Sequence, residues 1–246
     1  MLKTIVFFFF FWVGMAFFLP VGLIAYLLRL LGLGTFISPG LCAIARFWAR
    51  MAILGAGVRL KVEGEENIPA SGGVCFIGNH QGDFDILIAL ALIRRPFGFT
   101  AKREAAYVPI AGMWVKLLGG VFIDRGSPRK SFRAIEAGAR KMREGGAMII
   151  FPEGTRSRGR EMLPFKPGAF KLATMAGAAI VPVAIDGSWK VWEESMRIRG
   201  ADIVVRFGKP VPTEGLTIEA RRALPAAIKA EIMGMAKLPA AAEGKA

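Results

Sequence analysis

The chain opens on a long apolar segment. Residues 4–28 contain no charged side chain, and as a helix this stretch would measure roughly 37 Å, enough to cross a hydrocarbon layer about 30 Å thick. Pro20 interrupts the segment, because proline removes one backbone hydrogen bond and clashes with the preceding turn. The pattern therefore predicts a membrane helix that either spans the bilayer or is kinked and enters it at a shallow angle.

A second apolar segment follows the glycine-containing break at residues 32–34. Pro39 suits the first position of a helix in which Arg46 and Arg50 share one face. Another face of this helix is apolar and consists of Phe47, Met51 and Leu54. Such a helix is typical of a membrane interface. The pattern predicts a two-helix membrane-anchoring motif over residues 1–57, either monotopic or with a single span.

Basic residues lie within or next to the predicted helices, namely Arg29, Arg46, Arg50, Arg59 and Lys61. Because cytoplasmic segments next to membrane helices are enriched in such residues, we expect the remaining chain at the cytoplasmic face of the cell inner membrane. A secretory signal peptide is disfavoured, since the apolar run is too long for a signal core and lacks a clear small-x-small cleavage site.

From residue 58 onward, short β-prone runs alternate with helical patterns. The runs are residues 58–62, 73–78, 97–101, 121–123, 147–151, 180–185 and 203–207. This alternation predicts an α/β catalytic domain over residues 58–246, with a mixed central sheet of about seven strands flanked by helices. Pro182 lies within one of these runs, which suggests that its strand is at a sheet edge or forms a tunnel wall.

The clearest helix of this domain begins after Ser127, a good N-cap residue, with Pro128 at its first position. Its apolar face consists of Phe132, Ile135, Ala139 and Met142. The sequence predicts that this helix packs on the sheet.

Composition narrows the class of partner. Hydrophobic residues make up 54% of the chain, and the formal net charge is +14, which favours an anionic membrane surface or a phosphate-bearing ligand. We expect no nucleic-acid binding, because the basic residues form no recognisable binding motif and belong to a chain with a hydrophobic anchor. Cys42 and Cys75 lack metal-ligand spacing, and we expect no metal site.

One loop combines the single histidine of the chain with nearby carboxylates. The apolar run 73–78 leads into Asn79 and His80, so the imidazole follows a strand end, where α/β sheets usually bind ligands. Asp83 or Asp85 would begin the next helix, and either could face the ring. A carboxylate that accepts one ring N–H leaves the other nitrogen as a general base, able to activate an alcohol against a thioester. The alternative is a structural histidine satisfied by its neighbouring carboxylate.

Other predicted strand ends carry cations. Lys102, Arg125 and Arg156 each follow an apolar run, and if these strands are neighbours the three side chains converge near His80. Such a cluster suits the phosphate of an acceptor molecule. The turn before Arg156 adds backbone N–H groups and a hydroxyl, from Glu153, Gly154 and Thr155. The alternatives are solvated surface cations and an ordinary tight turn.

Taken together, these features resemble the lysophosphatidate acyltransferase (1-acylglycerol-3-phosphate acyltransferase) family of glycerolipid acyltransferases. The resemblance covers about residues 58–210 and rests on Asn79 and His80 with Asp85, then residues 120–125, 151–156 and 180–185. It implies a two-helix membrane motif, which favours the monotopic arrangement.

The resemblance also implies residue roles. His80 would be the general base and Asp85 its orienting partner. The ligands of the acceptor phosphate would be Lys102, Arg125 and Arg156. Glu153 would either contact the acceptor or brace its loop, and Thr155 belongs to the same substrate-binding turn. The backbone around Gly154 could stabilise the oxyanion of the tetrahedral intermediate.

The implied reaction moves a fatty-acyl group from acyl-CoA or acyl carrier protein to the sn-2 hydroxyl of lysophosphatidate, giving phosphatidate in phospholipid biosynthesis without a cofactor. Acylation of glycerol 3-phosphate or another lysolipid stays open. A membrane-bound thioester hydrolase is disfavoured by the absence of a Gly-x-Ser-x-Gly motif, and a non-enzymatic lipid-binding protein is a third possibility. Acyl-chain length, the donor carrier, the depth of the anchor and the oligomeric state are left open.

Overall fold

The computed structural model describes residues 1–108 and 110–237, and at residues 34–37 it describes the backbone alone. The end of the predicted catalytic domain, residues 238–246, lies outside the described residues. Seven strands form one sheet, in the spatial order β1-β7-β6-β2-β5-β3-β4. They are β1 (Arg59–Glu63), β2 (Val74–Gly78), β3 (Phe97–Lys102), β4 (Val121–Ile123), β5 (Ala147–Ile150), β6 (Ala179–Asp186) and β7 (Asp202–Phe207). The predicted α/β fold with a mixed sheet is confirmed.

Strand directions determine where the site can form. The five strands β6, β2, β5, β3 and β4 run parallel to one another, whereas β7 is antiparallel to β6 and pairs in parallel with β1 at the sheet edge. Because parallel strands end at the same edge of a sheet, the segments after β2, β3, β4 and β5 lie side by side.

The edge position predicted for Pro182 is wrong. Pro182 lies in β6, between β2 and β7, and is in register with Ile77 of β2. The pairing of β6 with β7 runs only from Val183 to Asp186, so Pro182 lies just before that ladder begins. Its carbonyl oxygen accepts the N–H of Gly208 at 2.8 Å. The strand thus accommodates a residue without an N–H where its pairing on one side changes.

Helices cover both faces of the sheet. They are α1 (Leu2–Phe17), α2 (Leu19–Leu30), α3 (Gly34–Ala56), α4 (Phe84–Leu92), α5 (Ala111–Leu117), α6 (Pro128–Arg143), α7 (Lys171–Ala176) and α8 (Ile218–Ala236). Side chains of β2 alternate between the two layers: Phe76 packs in the core formed with α1, α3, α4 and α5, whereas Cys75 and Ile77 pack in the core formed with α6, α7 and α8.

The helix predicted after Ser127 is α6. The Ser127 hydroxyl accepts the backbone N–H of Lys130 at 3.4 Å, and Ala139 and Met142 are buried, as predicted. Phe132 was predicted to pack on the sheet, but its side chain is half exposed. It lies in the first turns of α6, where the helix borders the open cleft described below rather than the core.

The N-terminal helices form the predicted apolar motif with one difference in its boundaries. Residues Leu2–Leu30 are the one stretch, among the described residues, that is long and apolar enough to cross a membrane, with a mean hydropathy of 2.3. This stretch bends where α1 gives way to α2, at Phe18 before Pro20. The third helix begins at Gly34 rather than at Pro39. A proline in the second turn removes only one backbone hydrogen bond, so the preceding residues still form helix.

Helices α1 and α3 share the hydrophobic core of the sheet. Phe7 of α1 lies with its ring centroid 5.8 Å from that of Phe84 in α4, and Ala49 and Ile53 of α3 are buried in the same core. The division of the chain after residue 57 into an anchor and a catalytic domain stays a prediction. The packing shows that the two parts do not have separate cores.

The predicted faces of α3 are present, but its basic face binds protein. Arg46 donates to the carbonyl oxygen of Ile93, and Arg50 donates to that of Ala91, both at the C-terminal end of α4. Cations are favourable there because the last carbonyls of a helix lack partners within the helix. The residues of the apolar face, Phe47, Met51 and Leu54, are exposed. This apolar face is therefore available to a membrane.

Candidate active site

The imidazole of His80 is bonded to the carboxylate of Asp85. His80 follows β2 and Asp85 lies in the first turn of α4, and the distance from His80 Nδ1 to Asp85 Oδ2 is 2.7 Å. The His80 side chain is 17% exposed and lines a cleft, whereas Asp85 is fully buried. The ring is neither sealed in the core nor turned away from its carboxylate, and its Nε2 is the nitrogen not bonded to Asp85.

Three N–H groups converge on Asp85. Its Oδ2 also accepts the backbone N–H of Gln81 at 2.7 Å and that of Gly82 at 2.9 Å. Backbone N–H groups can only donate, so Oδ2 is an acceptor at this position, and its bond to the ring requires the proton of His80 to lie on Nδ1. The ring of Phe151 stacks on the imidazole with centroids 4.3 Å apart. The tautomer and the plane of the ring are both defined.

Asn79 connects this loop to the neighbouring strand. Its side chain donates to the carbonyl oxygen of Ile185 and accepts the N–H of the same residue, both at 2.8 Å. All these groups are buried. The amide therefore continues the pairing of β2 with β6. It also holds the start of the loop between β2 and α4, residues 79–83, which we call the His80 loop.

Asn79→Ala is expected to lower the free energy of unfolding by about 2 to 6 kcal/mol, because two buried backbone groups lose their partners at about 1 to 3 kcal/mol each. Thermal unfolding of the detergent-solubilised protein measures this. Asn67→Ala is the control, since the Asn67 side chain makes one hydrogen bond within the described residues, to the part-buried carbonyl oxygen of Phe207, and its loss should cost about 1 kcal/mol. Equal losses for the two variants would contradict the role given to Asn79.

Glu153 braces the site from within. Its Oε1 accepts the backbone N–H of His80 at 2.7 Å, and its Oε2 accepts that of Leu163 at 3.0 Å. The side chain is buried and does not line the cleft, so the geometry favours the bracing role over contact with an acceptor, which stays a prediction. Burial raises the pKa of Glu153 to about 7, although both N–H groups favour its charged form. The pKa rises because the loss of hydration on burial disfavours the charged carboxylate more than the two N–H bonds favour it.

The predicted cations line one cleft. Lys102 ends β3, Arg125 follows β4 and Arg156 follows β5, and all three border the cleft that contains His80. The cleft has a volume of about 1270 Å³. Further basic residues around it are Arg129, Arg158, Lys166 and Lys171. Part of its wall is apolar and includes Phe99, Val115, Ile135 and Leu172. It combines a cationic rim with space for a hydrocarbon group.

The turn after β5 holds its residues in place largely by backbone contacts. Arg125 donates to the carbonyl oxygen of Gly154, and Thr155 is exposed at the cleft. The Gly154 N–H donates to the carbonyl oxygen of Phe151 at 3.0 Å. This N–H is therefore not available to an oxyanion in the conformation observed. The oxyanion role implied for the backbone around Gly154 stays a prediction. Gly154 has a φ of +71°, which a residue with a Cβ adopts less readily.

Arg156 has a partner that the sequence did not predict. Its guanidinium contacts Asp83 Oδ2 and lies 3.3 Å from Glu193 Oε1. Glu193 comes from the turns after β6, so it follows no apolar run that would place it at a strand end. Its sequence position gives no signal, since 110 residues separate it from Asp83, whose N–H it accepts at 2.7 Å.

Comparisons with known proteins find relatives in sequence and in structure. A sequence model of the family described as Acyltransferase matches residues 59–186. The 1-acyl-sn-glycerol-3-phosphate acyltransferase of Saccharomyces cerevisiae is 35% identical over 178 residues, covering 70% of this chain and 58% of that protein. The enzyme of the same name from Borreliella burgdorferi is 37% identical over 130 residues, covering 53% of this chain and 52% of that protein.

A solved structure extends the likeness to the N-terminal helices. The crystal structure of the 1-acyl-sn-glycerophosphate (LPA) acyltransferase PlsC from Thermotoga maritima superposes with a TM-score of 0.78 at 25% identity. The match covers 95% of each chain. The matches to the curated relatives, by contrast, span about half of those proteins' own length.

Proposed function

Because this chain belongs to the acyltransferase family, we propose that it transfers a fatty-acyl group from acyl-CoA or acyl carrier protein to the sn-2 hydroxyl of lysophosphatidate, giving phosphatidate. The observation that carries the proposal is the His80–Asp85 pair, 2.7 Å apart, in a cleft rimmed by Lys102, Arg125 and Arg156. The names of the relatives also support it, since several are 1-acyl-sn-glycerol-3-phosphate acyltransferases.

The reaction needs one proton to move twice. Asp85 keeps the His80 proton on Nδ1, so Nε2 accepts the proton of the acceptor hydroxyl as its oxygen attacks the thioester carbonyl. The tetrahedral intermediate then collapses, the C–S bond breaks, and Nε2 returns the proton to the leaving thiolate. The products are an ester and a free thiol, and no covalent enzyme intermediate forms. The buried carboxylate of Asp85 stabilises the imidazolium between these two steps.

The cationic rim gives the acceptor its orientation. In this proposal the acceptor phosphate binds Lys102, Arg125 and Arg156, because guanidinium and ammonium groups make strong charge-assisted bonds to phosphate oxygens. Thr155 contributes its hydroxyl at the same rim. A phosphate held there leaves the glycerol hydroxyl to face the imidazole.

The N-terminal helices supply the membrane contact. We propose that α1 and α2, with the apolar face of α3, insert into the cytoplasmic leaflet of the inner membrane and so present the cleft to lipid. Large apolar side chains are exposed along α1 and α2, among them Phe9, Phe10, Trp12, Ile24 and Leu27. The positive net charge of +14 favours an anionic surface.

An acceptor and donor panel tests the proposal. Lysophosphatidate, glycerol 3-phosphate, a second lysolipid and monoacylglycerol are offered with acyl-CoA or with acyl carrier protein, and ester formation is measured. Lys102→Gln is expected to raise KM for lysophosphatidate by about tenfold or more, as the loss of a charge-assisted bond of about 1.5 to 3 kcal/mol predicts. Monoacylglycerol should be nearly unaffected.

Arg103→Gln is the matched control, because Arg103 is the next residue but pairs with Asp124 at 2.9 Å and does not line the cleft. Activity confined to phosphate-free acceptors would contradict the assignment of the cationic rim. Stable acyl label on the protein would instead indicate a hydrolase or another covalent mechanism.

A further inference from the structure

Two acidic side chains of very different exposure share Arg156. The Asp83 side chain is 61% exposed at the cleft, whereas that of Glu193 is 3% exposed. An exposed ion pair is weak and easily exchanged, but a buried carboxylate depends on its partner. An anion that enters the cleft would therefore displace the exposed Asp83 carboxylate from Arg156 more easily than the buried carboxylate of Glu193.

Glu193 is held on several sides. Its Oε1 accepts the Asp83 N–H as well as the Arg156 guanidinium, and its Oε2 is buried with no hydrogen-bond partner among the described residues. A Cβ added at Gly82 would lie 2.4 Å from Oε2, so the loop and the carboxylate pack tightly. Burial raises the pKa of Glu193, and the Asp83 N–H and the charge of Arg156 oppose this shift. The Asp83 N–H and Arg156 are thus partners that offset the burial of this carboxylate.

The Asp83 side chain has no comparable restraint. Its backbone N–H is bonded to Glu193, so the main chain at this point is fixed, while the carboxylate lies at the open cleft. The carboxylate can turn into water without disturbing the His80 loop. It contacts the guanidinium of Arg156, the group to which the proposed function assigns the acceptor phosphate.

We propose that Glu193 is a positioning residue that fixes Arg156 beside the His80 loop, and that the Asp83 carboxylate occupies this guanidinium until the acceptor phosphate displaces it. The inference rests on the proposed function, since it names the exchange by which that acceptor enters. It predicts that neutralising Asp83 and neutralising Glu193 change KM for lysophosphatidate in opposite directions.

Asp83→Asn is expected to lower KM for lysophosphatidate by about two- to fivefold, the range given by an exposed ion pair of about 0.5 to 1 kcal/mol. KM for monoacylglycerol, which has no phosphate, should stay at the wild-type value. Glu104→Gln is the matched control, because Glu104 lines the same cleft and its neutralisation changes the local charge equally, whereas Asp83 is the residue that contacts Arg156. An equal decrease in both variants would overturn displacement in favour of a general effect of charge.

Glu193→Gln is expected to raise KM for lysophosphatidate by about tenfold, because Arg156 loses its fixed charged partner. A purely structural role would instead lower kcat for both acceptors together. A ratio of KM values for the two acceptors that stays at the wild-type value would overturn the role given to Glu193.

Binding of glycerol 3-phosphate to the purified full chain, measured by calorimetry, separates this inference from the proposed function. One possible result is that the wild type binds this probe and Asp83→Asn binds it more tightly, while neither protein acylates lysophosphatidate. In that case the exchange stands and the proposed function fails. If Asp83→Asn tightens neither binding nor KM, or if the wild type binds no probe, the exchange is wrong.

Discussion

Replacing His80 with alanine is expected to lower kcat for acyl transfer by at least about 10²-fold, the lower range of general-base catalysis. The alanine variant keeps Asp85 and the cationic rim but has no group that accepts the hydroxyl proton. Turnover of lysophosphatidate with a labelled thioester measures the loss. Because the ring is at the cleft rather than in the core, the fold should be retained.

Vesicle binding is the control for this variant. The apolar faces of α1 to α3 are unchanged, so association with anionic vesicles should equal that of the wild type. A variant that binds vesicles normally and still acylates at the wild-type rate would refute His80 as the base, and would favour a lipid-binding protein or a different catalytic residue.

Asp85 should show a graded loss. Asp85→Ala removes the acceptor of three N–H groups and is expected to approach the loss for His80→Ala, about 10²-fold or more. Asp85→Asn should lose only about tenfold, because the N–H groups of Gln81 and Gly82 hold the amide oxygen at the Oδ2 position and so keep the tautomer. What the amide lacks is the negative charge beside the imidazolium.

The two kcat values, measured with saturating acceptor and donor, test this distinction. An Asn variant as inactive as the Ala variant would mean that the charge of Asp85 alone matters. An Asn variant with full activity would mean that orientation alone matters. Circular dichroism of both variants checks that the loop remains folded, since the Ala variant leaves two buried N–H groups without an acceptor.

The sequence predicted the strands well because most of them are continuous apolar runs. Val74 to Gly78 are all buried, as in a central strand covered by helices on both faces. The meeting of Lys102, Arg125 and Arg156 at one cleft needed only that their strands be parallel neighbours. The order of the strands and the reversal of β7 could not be read from the runs, since each run looks alike whichever neighbour it pairs with.

Other features depended on contacts between distant segments. A carboxylate at a strand end looks the same whether it faces the cleft or the interior, and the structure alone shows that Glu153 faces inward. The arginines of α3 were predicted for a lipid interface, but the carbonyls at the end of α4 bind them. Glu193 lies in a turn-rich segment without periodicity, so no local pattern connects it to Arg156.

The shared core of α1, α3 and the sheet has a practical consequence for handling this protein. A chain shortened to start at Gly57 would uncover Phe84 and Ile88, which are buried in the core that includes α1 and α3. Such a fragment should aggregate on expression rather than yield a water-soluble enzyme. Polar replacements confined to outward-facing positions such as Phe9, Phe10 and Leu54 offer the better route to detergent-free preparations, because they leave the packing beneath the helices intact.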